Sequence, residues 1–155
     1  MKSINNRQST INNRSFTLIE IIVVVTIIGV LFGGAAISYS SLTRASRDAK
    51  RKGDLEQIRA ALEMYRSSEP GANGQYPTYA NADCSGLTSI ANFTNYLPVI
   101  PTDPKSNFNY SCTSEPSTYT IYSTLEAGDY SDCGGSCGSA PCEYAVGPYG
   151  KICGP

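Results

Sequence analysis

The strongest constraint on this chain is a nearly unbroken apolar run from Phe16 to Ile37, within the stretch NRSFTLIEIIVVVTIIGVLFGGAAI. As an α-helix rising ~1.5 Å per residue, the run would be about 33 Å long, roughly the thickness of a bilayer's hydrocarbon core. A secretory signal has a shorter apolar region that is followed by a small-residue cleavage site. The sequence therefore predicts a retained transmembrane helix behind a polar, basic leader at residues 1–15.

The helix is predicted to continue well beyond the apolar run. One apolar stripe recurs at steps of three and four, at Leu55, Ile58, Leu62 and Tyr65. The helix should end near Ser68, because Pro70–Gly71 follows. The predicted segments are a leader at 1–15, a transmembrane half-helix at 16–38, an amphipathic half-helix at 39–69 and a globular head at 70–155.

The head is predicted to contain a small antiparallel sheet. FNYSC and TYTIYSTLEA alternate as strands do, with Tyr119, Ile121 and Ser123 on one face. GANGQYPTYANADCSG and the proline-rich LPVIPTDPKSN predict loop, with a short helix or turn at Asn92–Leu97 between them. The glycine- and cysteine-rich tail predicts irregular loop with one short strand near Glu143–Val146. The expected fold class is α+β, with one long N-terminal helix packed on a small antiparallel sheet and a disulfide-rich C-terminal loop region.

All six cysteines lie in the distal part of the chain, at Cys84, Cys112, Cys133, Cys137, Cys142 and Cys153. An even count in a small domain behind an export-type segment predicts three disulfides. Free buried thiols and a zinc site are the alternatives. Zinc sites usually contain a CxxC pair or histidine, whereas this chain has no histidine and its closest cysteines are spaced more widely. The sequence does not choose among the possible pairings.

No catalytic pattern is present in the sequence. Without histidine, the usual serine or cysteine charge relay is absent. No phosphate-cradling glycine loop precedes a helix, and the cysteines lack the CxxC spacing of redox motifs. We therefore predict that the chain is not an enzyme and has no catalytic residues, cofactor or metal.

Glu20 lies within the apolar run, where a carboxylate is costly. It could lie near the interface and snorkel. Alternatively, cleavage between Ser15 and Phe16 would create an amino group one helical turn before Glu20, at the same membrane depth. Pairing of Glu20 with that amine, on its own chain or a neighbour's, would set the register of packed helices.

The sequence RSFTLIE, between a basic leader and an apolar helix, resembles the prepilin leader of type IV pilins and the related pseudopilins. The resemblance implies cleavage between Ser15 and Phe16 by a membrane aspartyl peptidase, the prepilin peptidase. It also implies methylation of Phe16 and a role for Glu20 in filament assembly. The family nearly always has glycine before the cut; Ser15 is small enough for cleavage, which we expect to be slow or incomplete.

Two further stretches resemble the major pseudopilins of type II secretion. ALEMYRSSEPGANGQYPT matches their helix end and G-x-Y-P turn, and LPVIPTDPKSNFNYSC their P-x-D-P connection into the sheet. The tail departs from them, because those pseudopilins often bind calcium through a late acidic loop. Here Asp129 and Asp132 fall among cysteines without a recognisable spacing of oxygen ligands, so we assign no calcium site.

The resemblance implies a structural subunit of a type IV pilus-like or type II secretion pseudopilus filament. Its expected partners are copies of itself, the prepilin peptidase, an inner-membrane assembly platform with a cytoplasmic ATPase, and membrane lipid. We expect a single-pass protein of the cytoplasmic membrane with its N-terminus in the cytoplasm and its head outside, which later joins an extracellular or periplasmic filament. The alternatives are a non-polymerising membrane-tethered binding module and a DNA-uptake pseudopilin.

The distribution of basic residues and the cysteines favour opposite orientations of the chain in the membrane. Basic residues precede the apolar run at Lys2, Arg7 and Arg14, and more follow it at Arg44, Arg47, Lys50, Arg51 and Lys52. The positive-inside rule places the more basic flank in the cytoplasm, whereas the cysteines favour an exported head. We interpret the second cluster as a solvated helix face, or as one touching lipid headgroups or acidic patches of adjacent subunits. The distal part is acidic, so nucleic acid is not an expected partner.

Overall fold

A computed structural model describes residues 16–80 and 83–155, apart from the side chains of residues 35–38. The predicted leader, with Lys2, Arg7, Arg14 and Ser15, lies outside the described residues. The chain divides into two compact units, one that ends at Tyr39 and one formed by Ser40–Pro155.

A single α-helix, α1, spans Leu18–Ser68, as the sequence predicts. At its C-terminal end the N–H of Glu69 donates to the carbonyl oxygen of Tyr65 at 2.9 Å. Pro70 follows directly, and a proline disfavours helical backbone in the residue before it. The helix therefore ends at Ser68, as predicted from the Pro70–Gly71 pair.

The head contains a four-stranded antiparallel sheet in which neighbours along the chain are neighbours in space. Its strands are β1 at Ser111–Glu115, β2 at Thr118–Ser123, β3 at Tyr144–Gly147 and β4 at Gly150–Cys153. Ile121 is the partner of Cys112 on one side and of Val146 on the other. The helix followed by this sheet confirms the predicted α+β, pilin-like layout.

The tail contributes more regular structure than the sequence predicts. The predicted short strand near Glu143–Val146 is confirmed as β3, and an unpredicted strand, β4, pairs with it through a hairpin at Pro148–Tyr149. The hairpin closes through Gly150, whose φ of +107° is one that residues with side chains rarely adopt. Weak alternation in the glycine-rich tail explains why β4 was not predicted.

Other elements of the head also differ from the prediction. β1 begins at Ser111, so the segment Phe108–Tyr110 of FNYSC precedes the strand. Cys84–Ser89 forms a 3₁₀ helix where the sequence predicts loop, and the carboxylate of Asp83 caps it by accepting from the N–H of Ser85 at 2.9 Å. A second 3₁₀ helix at Phe93–Asn95 lies within the predicted helix or turn.

The core of the head forms where the apolar stripe of α1 meets the sheet. Leu55, Ile58 and Leu62 are fully or almost fully buried, as are Ile121 and Val146 of the sheet. Each such side chain contributes about 1.5–3 kcal/mol relative to an exposed one. The predicted stripe is therefore confirmed as the face that holds the head together.

All six cysteines are paired in disulfides: Cys84 with Cys112, Cys133 with Cys153, and Cys137 with Cys142. The first bridge joins the 3₁₀ helix at Cys84–Ser89 to β1. The second joins the tail loop to the end of β4, and the third closes a short loop within the tail. The bridges thus fix the parts of the head that contain the least regular secondary structure.

Candidate functional site

The N-terminal end of α1 is closed by a reciprocal capping arrangement between Thr17 and Glu20. The N–H and the hydroxyl of Thr17 both donate to Oε2 of Glu20, and the N–H of Glu20 donates to Oγ1 of Thr17, each at 3.3 Å. This is a capping box, which satisfies backbone donors that a helix N-terminus leaves without partners. Glu20 therefore has a role within its own chain.

The capping box does not use all the hydrogen-bond acceptor positions of the Glu20 carboxylate. Both bonds from Thr17 end on Oε2, whereas a carboxylate offers about four acceptor directions over its two oxygens. Phe16 immediately precedes Thr17 and is 76% exposed. An amine at Phe16 would start the same helical turn, so Glu20 could accept from it while still capping α1.

Among the described residues, the apolar half of α1 exposes most of its large side chains. Large apolar side chains are exposed at Phe16, Leu18, Ile19, Ile21, Ile22, Val23, Val24, Val25, Ile27, Ile28, Val30, Leu31 and Phe32. Soluble proteins rarely expose so large a continuous apolar surface. By length and composition α1 can cross a membrane. This surface can therefore contact lipid, pack against other apolar helices, or do both in succession.

The basic cluster after the apolar run is largely used within the head. Arg51 is fully buried, Arg47 pairs with Glu126, and the ammonium of Lys52 lies 5.1 Å from the ring centroid of Tyr144. Arg44 and Lys50 are exposed. The interpretation of the cluster as a solvated helix face is therefore wrong for Arg51, because the fold surrounds it with carboxylates.

Arg51 joins three segments of the head through its guanidinium group. Nε and Nη2 donate to the two oxygens of Asp103 at 2.7 and 2.9 Å. Nη1 donates to Asp48 at 2.8 Å, and Nη2 also lies 2.8 Å from Oε1 of Glu126. Asp48 is on the helix itself, Asp103 is in the proline-rich connection, and Glu126 follows β2.

Three cationic side chains contact the carboxylate of Glu126. Arg47 donates from Nε and Nη2 at 2.9 and 2.6 Å, and Nζ of Lys105 lies 2.6 Å from Oε2. The hydrogen bond from Arg47 is the main cause that lowers the pKa of Glu126, and those from Lys105 and Arg51 add to it against the effect of burial. Burial lowers the pKa of Arg51, but its bonds to Asp103 and Glu126 outweigh this and raise it.

Sequence reasoning missed this cluster, although a local signal was present. Asp48 and Arg51 precede Leu55 at the same steps of three and four that define the apolar stripe. Their position therefore places them on the buried face of α1. A charged pair on that face predicts buried ionic partners elsewhere in the head.

The head also has an open cleft of about 480 Å³. Several ionisable side chains that line it are already engaged: Asp103 binds Arg51, Lys105 binds Glu126, and the hydroxyl of Tyr110 donates to Asp54 at 2.7 Å. These engaged groups serve the packing of the head.

The sequence of this chain is similar to a family model and to a protein of a secretion system. A family model, the prokaryotic N-terminal methylation motif, matches residues 11–36. The type II secretion system core protein G of Pseudomonas aeruginosa is 31% identical over 121 residues, which cover 70% of this chain and 80% of the relative. No solved structure gives a significant match.

Proposed function

The chain belongs to the family of type IV pilins and type II secretion pseudopilins, and we propose that it is a filament subunit that polymerises through its N-terminal helix. Before assembly, the apolar half of α1 anchors it in the cytoplasmic membrane. After assembly, the same surface packs against the helices of other copies. The observation that carries this proposal is the exposed apolar surface of α1, which bears a carboxylate in its first turn.

The proposal includes processing at the N-terminus. A prepilin peptidase cuts between Ser15 and Phe16, and Phe16 is then methylated. The new amine pairs with Glu20, on its own chain or on a neighbouring copy, which removes two uncompensated charges from an apolar setting. The capping box supports this role, because it orients the Glu20 carboxylate toward the start of its helix.

The proposed orientation places the N-terminus in the cytoplasm and the head outside. An inner-membrane assembly platform with a cytoplasmic ATPase drives polymerisation. Three disulfides suit an oxidising compartment. Arg47 and Arg51 are compensated by carboxylates in the folded head. Because these charges are already paired, few basic side chains of the cluster remain to contact nucleic acid.

The test is the substitution Glu20→Ala in the host, with Glu56→Ala as the matched control because Glu56 is an exposed glutamate on the same helix. We expect Glu20→Ala to remove the subunit from the sheared filament fraction while it stays in the membrane after carbonate extraction. Glu56→Ala should assemble normally. Normal assembly of Glu20→Ala would contradict the docking role.

Intact mass of the protein from its own membranes tests the processing steps separately. We expect a chain that begins at Phe16, carries one added methyl group and is lighter than its reduced form by the hydrogens lost in three disulfides. A chain that still carries residues 1–15 would contradict processing and indicate a membrane-tethered module. Ser15→Gly should then restore the cut if serine alone blocks it.

A further inference from the structure

The late acidic loop of this chain does not have the chemistry of a calcium site. Asp129 and Asp132 are exposed, and Oδ1 of Asp132 accepts from the N–H of Gly134 at 2.8 Å within its own turn. Within residues 16–80 and 83–155, no three acidic, cysteine or histidine side chains are placed to hold a metal. Calcium needs six to eight oxygen ligands around one point, and the side chains of Asp129 and Asp132 do not supply such a set.

Glu126, which lies three residues after the end of β2, already accepts from several cationic side chains of the protein. Arg47, Arg51 and Lys105 all approach it within 2.6–2.9 Å. A divalent cation would have to displace these groups while being repelled by them. Glu126 is therefore a ligand for the protein's own cations.

Arg51 performs the two tasks that a structural cation would perform. It neutralises carboxylates from separate segments, and it holds those segments against the helix through Asp103 and Glu126. Asp48, which it orients, accepts the N–H groups of Glu126 and Ala127 at 2.8–3.0 Å. A guanidinium binds through a planar fork, so these carboxylates spread around it and do not converge on a point.

We propose that the guanidinium of Arg51 is the built-in cation of this head, so that the loop after β2 is fixed without calcium or any other divalent ion. The Cys133–Cys153 and Cys137–Cys142 bridges fix the rest of the same tail. This inference concerns the head alone and holds whether or not the chain forms filaments.

The test uses the full chain in detergent micelles, with thermal unfolding followed by near-ultraviolet circular dichroism. The wild-type chain is compared in EDTA and in ~5 mM CaCl₂, above the Kd range of extracellular calcium modules. We expect the same Tm in both. The Asp129→Asn/Asp132→Asn variant should also show no calcium response. A Tm that calcium raises in the wild type but not in this variant would overturn the proposal.

Variants of Arg51 test whether the guanidinium itself matters. Arg51→Met leaves buried carboxylates without their cation and should lower Tm by more than about 10 °C. The matched control is Arg59→Met on the same helix, whose pair with Glu56 is at the surface, and it should shift Tm by less than about 2 °C. Equal shifts would overturn the role of Arg51. If Arg51→Met fails to fold, Arg51→Lys is tested in its place, because lysine keeps the charge but lacks the planar guanidinium fork. The Tm of Arg51→Lys should still be well below that of Arg59→Lys.

Discussion

The phenolic hydroxyl of Tyr119 on β2 donates to Oε1 of Glu63 on α1 at 2.9 Å, across 56 residues of chain. Tyr76 donates to the same oxygen at 2.9 Å, and the two rings meet edge to face with centroids 4.8 Å apart. Burial raises the pKa of Tyr119, and its hydrogen bond to Glu63 adds to this. One carboxylate oxygen on the helix thus anchors both the sheet and the loop that follows the helix.

We expect Tyr119→Phe to lower the free energy of unfolding by about 1–2 kcal/mol, because it removes a hydrogen bond to a charged group and leaves the packed ring in place. Urea unfolding of the full chain in detergent measures the change. Tyr149→Phe is the matched control, since Tyr149 is fully exposed in the β3–β4 hairpin, and it should change stability by less than about 0.5 kcal/mol. Equal losses in the two variants would contradict a special role for the Tyr119–Glu63 bond.

We expect the head to lose stability in acid through Glu126. Its pKa is lowered in the folded protein, chiefly by the hydrogen bond from Arg47, so the folded state favours the ionised carboxylate. The stabilisation is then full above the ordinary glutamate pKa of about 4.3 and is lost as pH falls below it toward the lowered folded value. Tm measured between about pH 7 and pH 3 should fall on the acid side.

The Glu126→Gln variant isolates this contribution. It should have a lower Tm than the wild type at neutral pH and a smaller further decrease in acid, because its amide does not titrate. Glu56→Gln, at an exposed site on α1, should keep the acid dependence of the wild type. An unchanged acid slope in Glu126→Gln would show that other carboxylates cause it.

We expect the disulfides to differ in their contribution to stability. The Cys84–Cys112 bridge spans 28 residues and the Cys137–Cys142 bridge spans 5, so the longer loop restricts the unfolded chain more. Replacing both cysteines by serine should cost about 1–2 kcal/mol more for the first pair than for the second. Urea unfolding under non-reducing conditions measures this difference, and the reverse order would contradict the loop-entropy argument.

The N-terminal and helical features were predictable because they are local. The Pro70–Gly71 pair marks the end of α1, and the spacing of Leu55, Ile58 and Leu62 marks its buried face. Thr17 and Glu20 are three residues apart, so a capping box needs no distant contact. Helical periodicity and capping depend on backbone geometry within one or two turns, which neighbouring residues encode.

β4 and the disulfide pairing were not predictable in the same way. Tail residues such as Gly150 and Lys151 lack the strong alternation of TYTIYS, and they become a strand by pairing with β3. The number of cysteines predicted three disulfides, but every possible pairing is compatible with that number. Which sulfurs meet depends on how the loops return to the sheet.

Local sequence suffices to define the long helix, its apolar and amphipathic halves, and the family motif at Phe16–Glu20. The burial of Arg51 depends on the fold of the whole head, because its partners come from the proline-rich connection and from the loop after β2. A charge is tolerated in a core only where opposite charges from distant segments meet it, and that meeting depends on the packing of the whole head.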